Sequence, residues 1–179
     1  MTYDIIRSHR RTMAAQIKDG RLIVRAPLYA TDAEIHNFVQ KHYRWAEKHL
    51  AEAQALDAIG PLTADELRSL AEQAKTLIPQ RVAYYAPLIG VDYGRITIRA
   101  QHSRWGSCSG KGNLNFNCLL MLTPPEVIDS LVVHELYHRK EMNHPPKFYA
   151  EVLRVYPDYQ KWHNWLKQNG PALMRRIAP

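Results

Sequence analysis

The sequence predicts an α+β fold from three observations: strand-like segments near the N-terminus, helical periodicity in the middle, and further strands followed by helices. The chain has 179 residues, of which 46% are hydrophobic and 23% are charged. This composition suits a globular domain and excludes a disordered chain. We expect a single domain over 1–179, with a β-hairpin region over 1–30, a helical segment over 31–90 and a core over 91–179 that carries the candidate site.

The N-terminal strands are predicted by two apolar runs on either side of a turn. The runs TMAAQI and RLIVRAP flank the tripeptide Lys18-Asp19-Gly20. An Asp-Gly pair between strand-like runs is a strong hairpin signal, because both residues tolerate the positive φ angles of a tight turn. The sequence therefore predicts a hairpin here.

Two capping boxes predict the helix starts of the middle segment. Thr31 is followed three residues later by Glu34, and Thr63 is followed in the same way by Glu66. After the first box, apolar residues recur at helical spacing as far as Leu50. This spacing predicts one long amphipathic helix.

Two strands are predicted in the C-terminal half. Residues 95–99 alternate around two isoleucines, and after the turn-rich segment SCSGKG the run 113–120 alternates again. The apolar residues of the second run would face one side, and Asn113, Asn115 and Asn117 would face the other. Such a strand could lie at the edge of a sheet.

The segment with the clearest chemistry is the next helix, whose start is predicted by the sequence TPPE at 123–126. Its sequence EVIDSLVVHELYHRKEM is apolar in nearly every direction, so we expect a buried helix that continues to Met142. This helix carries His134, Glu135 and His138. Burying a carboxylate between two imidazoles is costly without compensation, and a divalent metal would compensate.

The spacing of these residues matches a zinc site. His134 and His138 leave one face of the helix together, while Glu135 is turned towards a water on the ion. A chance HExxH match is expected only about 0.02 times in such a chain. His144 follows His134 at the separation of the third histidine in the long zinc motif, and Glu151 on the next helix is the alternative third ligand.

The ligand count predicts a mechanism. Three protein ligands leave a zinc ion one open position, where a bound water reaches a pKa of about 7. Glu135 would accept the proton of this water and pass it to the leaving group. We therefore predict a hydrolase with one Zn²⁺ per chain. The alternative, a closed structural site, would need a fourth ligand and would leave Glu135 without a task.

A resemblance to a known family rests on five segments of the chain: Arg104-Trp105-Gly106-Ser107-Cys108, KGNLNFN, PPEVIDSLVVHELYH, Asn143-His144 and Phe148-Tyr149. These segments resemble the YgjP-like metallopeptidase family and, more distantly, the SprT-like zinc proteases. The stretch 7–27 is similar to the amino-terminal part of the same family. The resemblance implies a zincin-like fold, in which a small antiparallel or mixed sheet packs on a buried HExxH helix, with flanking helices.

The resemblance also implies residue roles. It makes Glu135 the catalytic base of a metallopeptidase, and it assigns the metal to three histidines: His134, His138 and His144. Pro145 and Tyr149 stand where the family usually has serine and tryptophan. These departures leave the metal ligands intact and alter the rim of the pocket.

A peptide is the substrate that we favour from the sequence. The strand over 113–118 could lie at the sheet edge beside the motif helix and pair with an extended peptide. The candidate substrate-binding residues are Arg104, Trp105, Asn113, Asn115 and Tyr149.

Two other partners remain open. The net charge of +7 favours an acidic partner, and several arginines cluster near the N-terminus: Arg7, Arg10, Arg11, Arg21 and Arg25. One alternative is a metal-dependent nucleotide pyrophosphatase, an activity attached to this group, although the sequence has no GxxxxGK[ST] phosphate loop. The second is a DNA-associated SprT-like protein that uses its basic hairpin. The oligomeric state is not predicted.

The sequence also favours the cytoplasm. Cys108 and Cys118 are too few for a disulfide scaffold, and the N-terminus has no apolar stretch long enough for a secretory signal. No run of about 18 apolar residues is present. We therefore expect a cytoplasmic protein without a membrane partner.

Overall fold

A computed structural model describes residues 2–18, 20–58 and 60–177. The chain divides into two compact units, Met1–Gly60 and Pro61–Pro179. In the described ranges it forms six α-helices and two three-stranded sheets, which confirms the predicted α+β class. None of these helices is long and apolar enough to cross a membrane. The single-domain organisation stays a prediction.

The first unit contains a mixed sheet and two helices. Its elements are β1 (Tyr3–Ser8), β2 (Ala14–Lys18), β3 (Arg21–Pro27), α1 (Asp32–Lys41) and α2 (Tyr43–Ala58). The strand order is β1-β3-β2, with β1 parallel and β2 antiparallel to β3. The pairing of Lys18 with Arg21 confirms the predicted hairpin, and Gly20 has a positive φ of 67°. Asp19, the other turn residue, lies outside the described residues.

The prediction of one long helix after Thr31 is wrong in one respect, because the structure has two helices, α1 and α2, separated at His42. The capping box of Thr31 and Glu34 is present as predicted. His42 ends α1 with φ −106° and ψ 13°, and its ring Nδ1 lies 2.8 Å from the carbonyl oxygen of Phe38. The backbone N–H of His42 is shared between the carbonyls of Phe38 and Val39, at 3.3 and 3.1 Å, which is common at a helix terminus.

Two arginines of the basic N-terminal cluster are engaged within this unit. Arg7 donates to the carboxylate of Asp32 at 2.6 Å and to the carbonyl of Ala30. Arg21 lies 3.9 Å from the carboxylate of Asp4. These contacts neutralise part of the charge that a nucleotide or DNA would need.

The second unit contains a long helix, a small sheet and the motif helix. Its elements are α3 (Ala64–Ile89), β4 (Ile96–Arg99), β5 (Gly106–Cys108), β6 (Leu114–Asn117), a 3₁₀ helix (Cys118–Leu122), α4 (Pro125–Tyr137), α5 (Pro146–Val155) and α6 (Tyr159–Arg175). The capping box of Thr63 and Glu66 begins α3, as predicted. Leu114 and Phe116 of β6 are fully buried in one core with residues of α3 and α4.

The predicted edge position of the asparagine-rich strand is wrong, because β6 is the central strand. It pairs in parallel with β4 on one side and antiparallel with β5 on the other. It also ends earlier than predicted, at Asn117. The Asn117 side chain accepts from the N–H of Leu119 at 3.1 Å and donates to the carbonyls of Gln101 and Arg104 at 2.7 and 3.1 Å. These bonds turn the chain into the 3₁₀ helix, and an incoming peptide cannot pair with β6.

The start of α4 differs from the prediction in its cap. Pro124 is the N-cap residue and Pro125 the first helical residue. The hydroxyl of Thr123 bonds to the carbonyl of Leu120 at 2.8 Å instead of capping α4. The body of the helix is buried as expected, with four side chains at 0% exposure: Val127, Val132, Val133 and Leu136.

The end of α4 also differs, because the helix stops at Tyr137 and does not reach Met142. The N–H groups of Arg139 and Lys140 bond to carbonyls three residues back at 3.0 and 2.9 Å, which tightens the last turn. The Arg139 guanidinium then donates to the backbone and carboxylate of Asp92 at 3.1 and 2.8 Å. This contact outside the helix holds the chain in the turn that leads to His144.

An ion pair joins α3 to α4. Arg81 donates two hydrogen bonds to the carboxylate of Asp129, at 2.6 and 2.7 Å, and the hydroxyl of Tyr85 donates to the same carboxylate at 3.2 Å. The side chain of Asp129 is only 16% exposed. Bidentate geometry and partial burial distinguish this pair from the exposed pairs of α3.

Replacement of Asp129 with alanine should therefore lower the free energy of unfolding by about 2 kcal/mol, because Arg81 is left without its carboxylate. The matched control is Arg68→Ala, which removes an exposed pair with Asp65 and should cost less than about 0.5 kcal/mol. Urea denaturation of both variants measures the difference. Equal losses of unfolding free energy in the two variants would show that the pair of Arg81 and Asp129 stabilises the protein no more than an exposed ion pair does.

Candidate metal centre

Three histidines of the second unit meet at one point. His134 lies on α4, His138 is its C-cap residue, and His144 lies in the loop before α5. Their ligand atoms lie within 4.8 Å of one another, and the Nε2 atoms of His134 and His144 are 3.1 Å apart. Zinc bonded to ring nitrogens at about 2.1 Å in tetrahedral geometry needs these nitrogens about 3.4 Å apart. The donor set therefore fits a zinc ion, provided that nitrogens up to 4.8 Å apart draw closer together around it.

Hydrogen bonds to the other ring nitrogens orient two of these histidines. The Nδ1 atom of His138 lies 2.9 Å from the carbonyl oxygen of Glu141. Because a carbonyl only accepts, Nδ1 carries the proton and leaves Nε2 with a free lone pair. The Nδ1 atom of His134 lies 2.8 Å from the hydroxyl of Tyr159. Contacts of this kind are the usual outer support of metal-bound histidines.

A buried aromatic ring supports the three histidines from α5. The ring centroid of Phe148 lies 5.1 Å from those of His134 and His138 and 4.8 Å from that of His144. Burial, together with the charges of the neighbouring histidines, lowers the pKa of His134 to about 3. Burial also lowers the pKa of His144. Both imidazoles are therefore neutral near pH 7, which is the form that binds a metal.

Glu135 is the buried carboxylate of the site. It is only 5% exposed, and burial raises its pKa to about 8, against the opposing charge of Arg104. A divalent cation on the adjacent histidines would favour the carboxylate and offset this burial.

The strand β5 approaches Glu135 at Gly106. A Cβ atom on Gly106 would lie 2.6 Å from Oε1 of Glu135 and 2.9 Å from its Cδ and Cγ atoms. Such distances are impossible contacts, so only glycine leaves room for the carboxylate in its present position. Gly106, the glycine of the Arg-Trp-Gly-Ser-Cys segment, therefore allows β5 to lie directly against Glu135.

Three of the predicted substrate-binding residues make contacts within the fold. The indole of Trp105 lies against α6, where a Cβ atom on Gly170 would be 2.8 Å from its Nε1. Asn113 accepts from the N–H of Arg95 at 3.0 Å, and Asn115 donates to the β5 serine hydroxyl at 3.2 Å. Their role in substrate binding stays a prediction.

The other predicted residues lie closer to the triad or away from it. Tyr149 is half-buried and stacks on His144, with the ring centroids 6.0 Å apart. Arg104 is exposed, and its charge reaches Glu135. Glu151, the alternative third ligand, accepts instead from Tyr137 at 2.9 Å and is not in the histidine cluster.

Sequence reasoning missed two residues that support the site from α6. Tyr159 contacts His134, and its hydroxyl also lies 3.2 Å from Nδ1 of His163. The two α6 residues are four apart on one helix, the same spacing as His134 and His138. This spacing indicates that Tyr159 and His163 share one face of α6. It does not indicate that this face packs against α4, because the two helices are distant in the sequence.

Comparison with known proteins identifies the family. A sequence model described as the YgjP-like metallopeptidase domain matches residues 11–69 and 62–169. The chain belongs to the YgjP-like metallopeptidase family. The match covers most of both units and includes the three histidines and Glu135, so the resemblance inferred from the sequence motifs is confirmed.

Solved structures similar to this YgjP-like chain include two metallopeptidase zymogens. Pyrococcus abyssi abylysin has 18% sequence identity and a TM-score of 0.48, and the alignment covers 57% of this chain and 100% of that chain. Methanocaldococcus jannaschii jannalysin has 23% identity and a TM-score of 0.45, with 51% of this chain and 95% of that chain covered. No curated protein sequence matches the chain significantly.

Replacement of Tyr159 with phenylalanine tests its support of His134. We expect the affinity for zinc to fall about tenfold, because His134 loses the hydrogen bond that orients its ring. Competition with a chromophoric chelator measures the affinity. The matched control is Tyr149→Phe, since the Tyr149 hydroxyl has no hydrogen bond to any described residue. An equal loss in both variants would contradict a specific role for Tyr159.

Proposed function

We propose that this protein is a zinc-dependent peptidase that cleaves peptide bonds with Glu135 as general base. The observation that carries the proposal is a buried carboxylate next to three convergent histidines. Membership of a metallopeptidase family supports the same chemistry. The last turn of α4 and its C-cap residue supply two of the histidines and the carboxylate.

Three imidazoles would hold the ion: His134, His138 and His144. This set leaves a zinc ion an open position, as in catalytic sites, whereas structural sites have four protein ligands. Among the described residues no fourth histidine, cysteine or carboxylate joins the cluster. The proposal therefore favours a catalytic centre over a structural one.

Glu135 handles the proton in this mechanism. When bound, zinc lowers the pKa of a coordinated water to about 7 and polarises the scissile carbonyl. The Glu135 carboxylate accepts a proton from the attacking water and delivers it to the leaving nitrogen. Its buried position keeps bulk water away from both transfers, and Gly106 keeps the strand from displacing it.

The substrate would lie along β5, which is the edge of the sheet that contacts α4. The carbonyl of Trp105 accepts from the N–H of Asn117 on β6, and the N–H of Ser109 donates to the carbonyl of Asn113, just before β6. Backbone groups alternate in direction along a strand, so those of Gly106 and Cys108 point away from β6. An extended peptide could pair with them beside Glu135, in place of the pairing with β6 that the fold excludes.

The direct test is activity and metal content in matched variants. Purified protein should contain one zinc per chain, and His134→Ala or His138→Ala should remove it. Glu135→Gln should keep the metal and reduce cleavage of an unfolded polypeptide by a factor of about 10² to 10⁴, since the general base is lost. Elemental analysis and a labelled casein assay measure both quantities.

The exposed His102, which lies outside the cluster, is the control position. His102→Ala should keep both zinc and activity. Nucleoside triphosphates are assayed beside the polypeptide. Hydrolysis of the nucleotide that needs Glu135, without polypeptide cleavage, would replace the peptidase proposal with a pyrophosphatase.

A glycine substitution tests the position of Glu135 without changing the carboxylate. Gly106→Ala should retain zinc and lose most of the activity, because the new methyl group overlaps the present position of Glu135. Gly110→Ala is the matched control, since a Cβ atom there meets nothing within 4 Å. Full activity in Gly106→Ala would show that Glu135 need not occupy this position.

A further inference from the structure

A groove lies beside β4, along the edge of the β4-β6-β5 sheet that is opposite to β5. It has a volume of about 470 Å³ and is lined by residues 95–99 together with Lys75 and Pro79 of α3. β4 pairs only with β6, so none of the strands in the described part of the chain covers its outer edge. An uncovered edge presents backbone groups that another strand can bind.

The groove is positively charged. Arg95 and Arg99 are exposed, and neither forms an ion pair with a carboxylate of any described residue. Lys75 is already paired with Glu72 at 2.7 Å. No acidic side chain lines the groove, so the two arginines determine its charge.

The register of β4 places these arginines on one face. Ile96 and Ile98 pack on the core, so Arg95, Thr97 and Arg99 face the other side of the sheet. Arg95 and Arg99 are therefore four residues apart on one face of the strand, with Thr97 between them.

The backbone N–H and C=O groups of β4 also alternate in direction from one residue to the next. The carbonyl of Arg95 accepts from the N–H of Leu114 on β6 at 2.9 Å. In a parallel pair, the N–H and C=O groups of the alternate residues, Ile96 and Ile98, then point away from β6. These groups face the groove and are the ones that an added strand would bind.

We propose that the β4 edge binds an extended acidic segment of a partner protein, which adds a fourth strand to the sheet. Acidic side chains four residues apart would face Arg95 and Arg99, and the apolar side chains between them would face Pro79 and the isoleucines of β4. The matching pattern is acidic, apolar, any, apolar, acidic. This pattern is symmetric, so it fits a parallel or an antiparallel peptide.

Charge favours an acidic partner over a second copy of the chain in the register centred on Thr97. Two copies of β4 paired about a two-fold axis run antiparallel, which places Arg95 of one copy opposite Arg99 of the other. Like charges directly opposite each other destabilise a strand pair. The site goes beyond the proposed peptidase activity, because it lies on the other edge of the sheet from β5 and binds without cleavage.

A labelled peptide with the sequence EVTVE, flanked by glycine and serine, tests the proposal by fluorescence polarisation with the full chain. The double variant Arg95→Glu/Arg99→Glu should weaken binding at least about tenfold, because both charge pairs become repulsive. The control Arg68→Glu/Lys161→Glu makes the same charge change at exposed sites on α3 and α6 and should bind as before. Equal weakening of binding in the control would overturn the proposal. Equal binding of the peptide KVTVK, in which the charges are reversed in sign, would also overturn it.

Methylation of peptide amides tests strand addition without altering the protein. Two peptides carry N-methyl groups on either the odd or the even positions of EVTVE. Only one set of N–H groups can face β4, so one peptide should lose binding and the other should keep it. Tolerance of both would overturn strand addition. Binding of a single-stranded DNA oligonucleotide that needs the two arginines, with no binding of EVTVE, would replace the peptide with a nucleic acid.

Discussion

Burial of the Glu135 carboxylate beside neutral imidazoles is the constraint on which the second unit depends. A carboxylate at 5% exposure is unfavourable unless a nearby charge or hydrogen bonds offset its lost hydration. The fold brings that carboxylate and three histidine rings that could hold a metal ion to one place. The apolar surface of α4, the glycine of β5 and the tight turn after His138 all serve to hold this arrangement.

The support of the histidines extends well beyond the motif. His138 is oriented by a carbonyl only three residues away, whereas His134 depends on Tyr159, 25 residues further along the chain. The C-terminal helix α6 therefore contributes to the candidate metal centre as well as to the core. The same helix contacts the indole of Trp105, so one element packs against both the turn before β5 and His134.

The order of three short strands gives the sheet two different edges. Because β6 is central, β5 lies beside α4 and the carboxylate, while β4 lies beside α3 and exposes two arginines. The edge at β5 is short and lies close to Glu135. The edge at β4 is far from Glu135 in the sheet order and positively charged, which suits binding without reaction.

The sequence by itself determined the local features: the capping boxes at Thr31 and Thr63, the hairpin, and the histidine spacing that predicts the metal cluster. Each depends on residues close in the chain, where helix or turn geometry relates spacing to position. The central place of β6, the early end of α4 and the contact of Tyr159 with His134 were decided by tertiary structure. Alternation shows which face of a strand is apolar but not which strands are its neighbours, because pairing depends on contacts between distant segments.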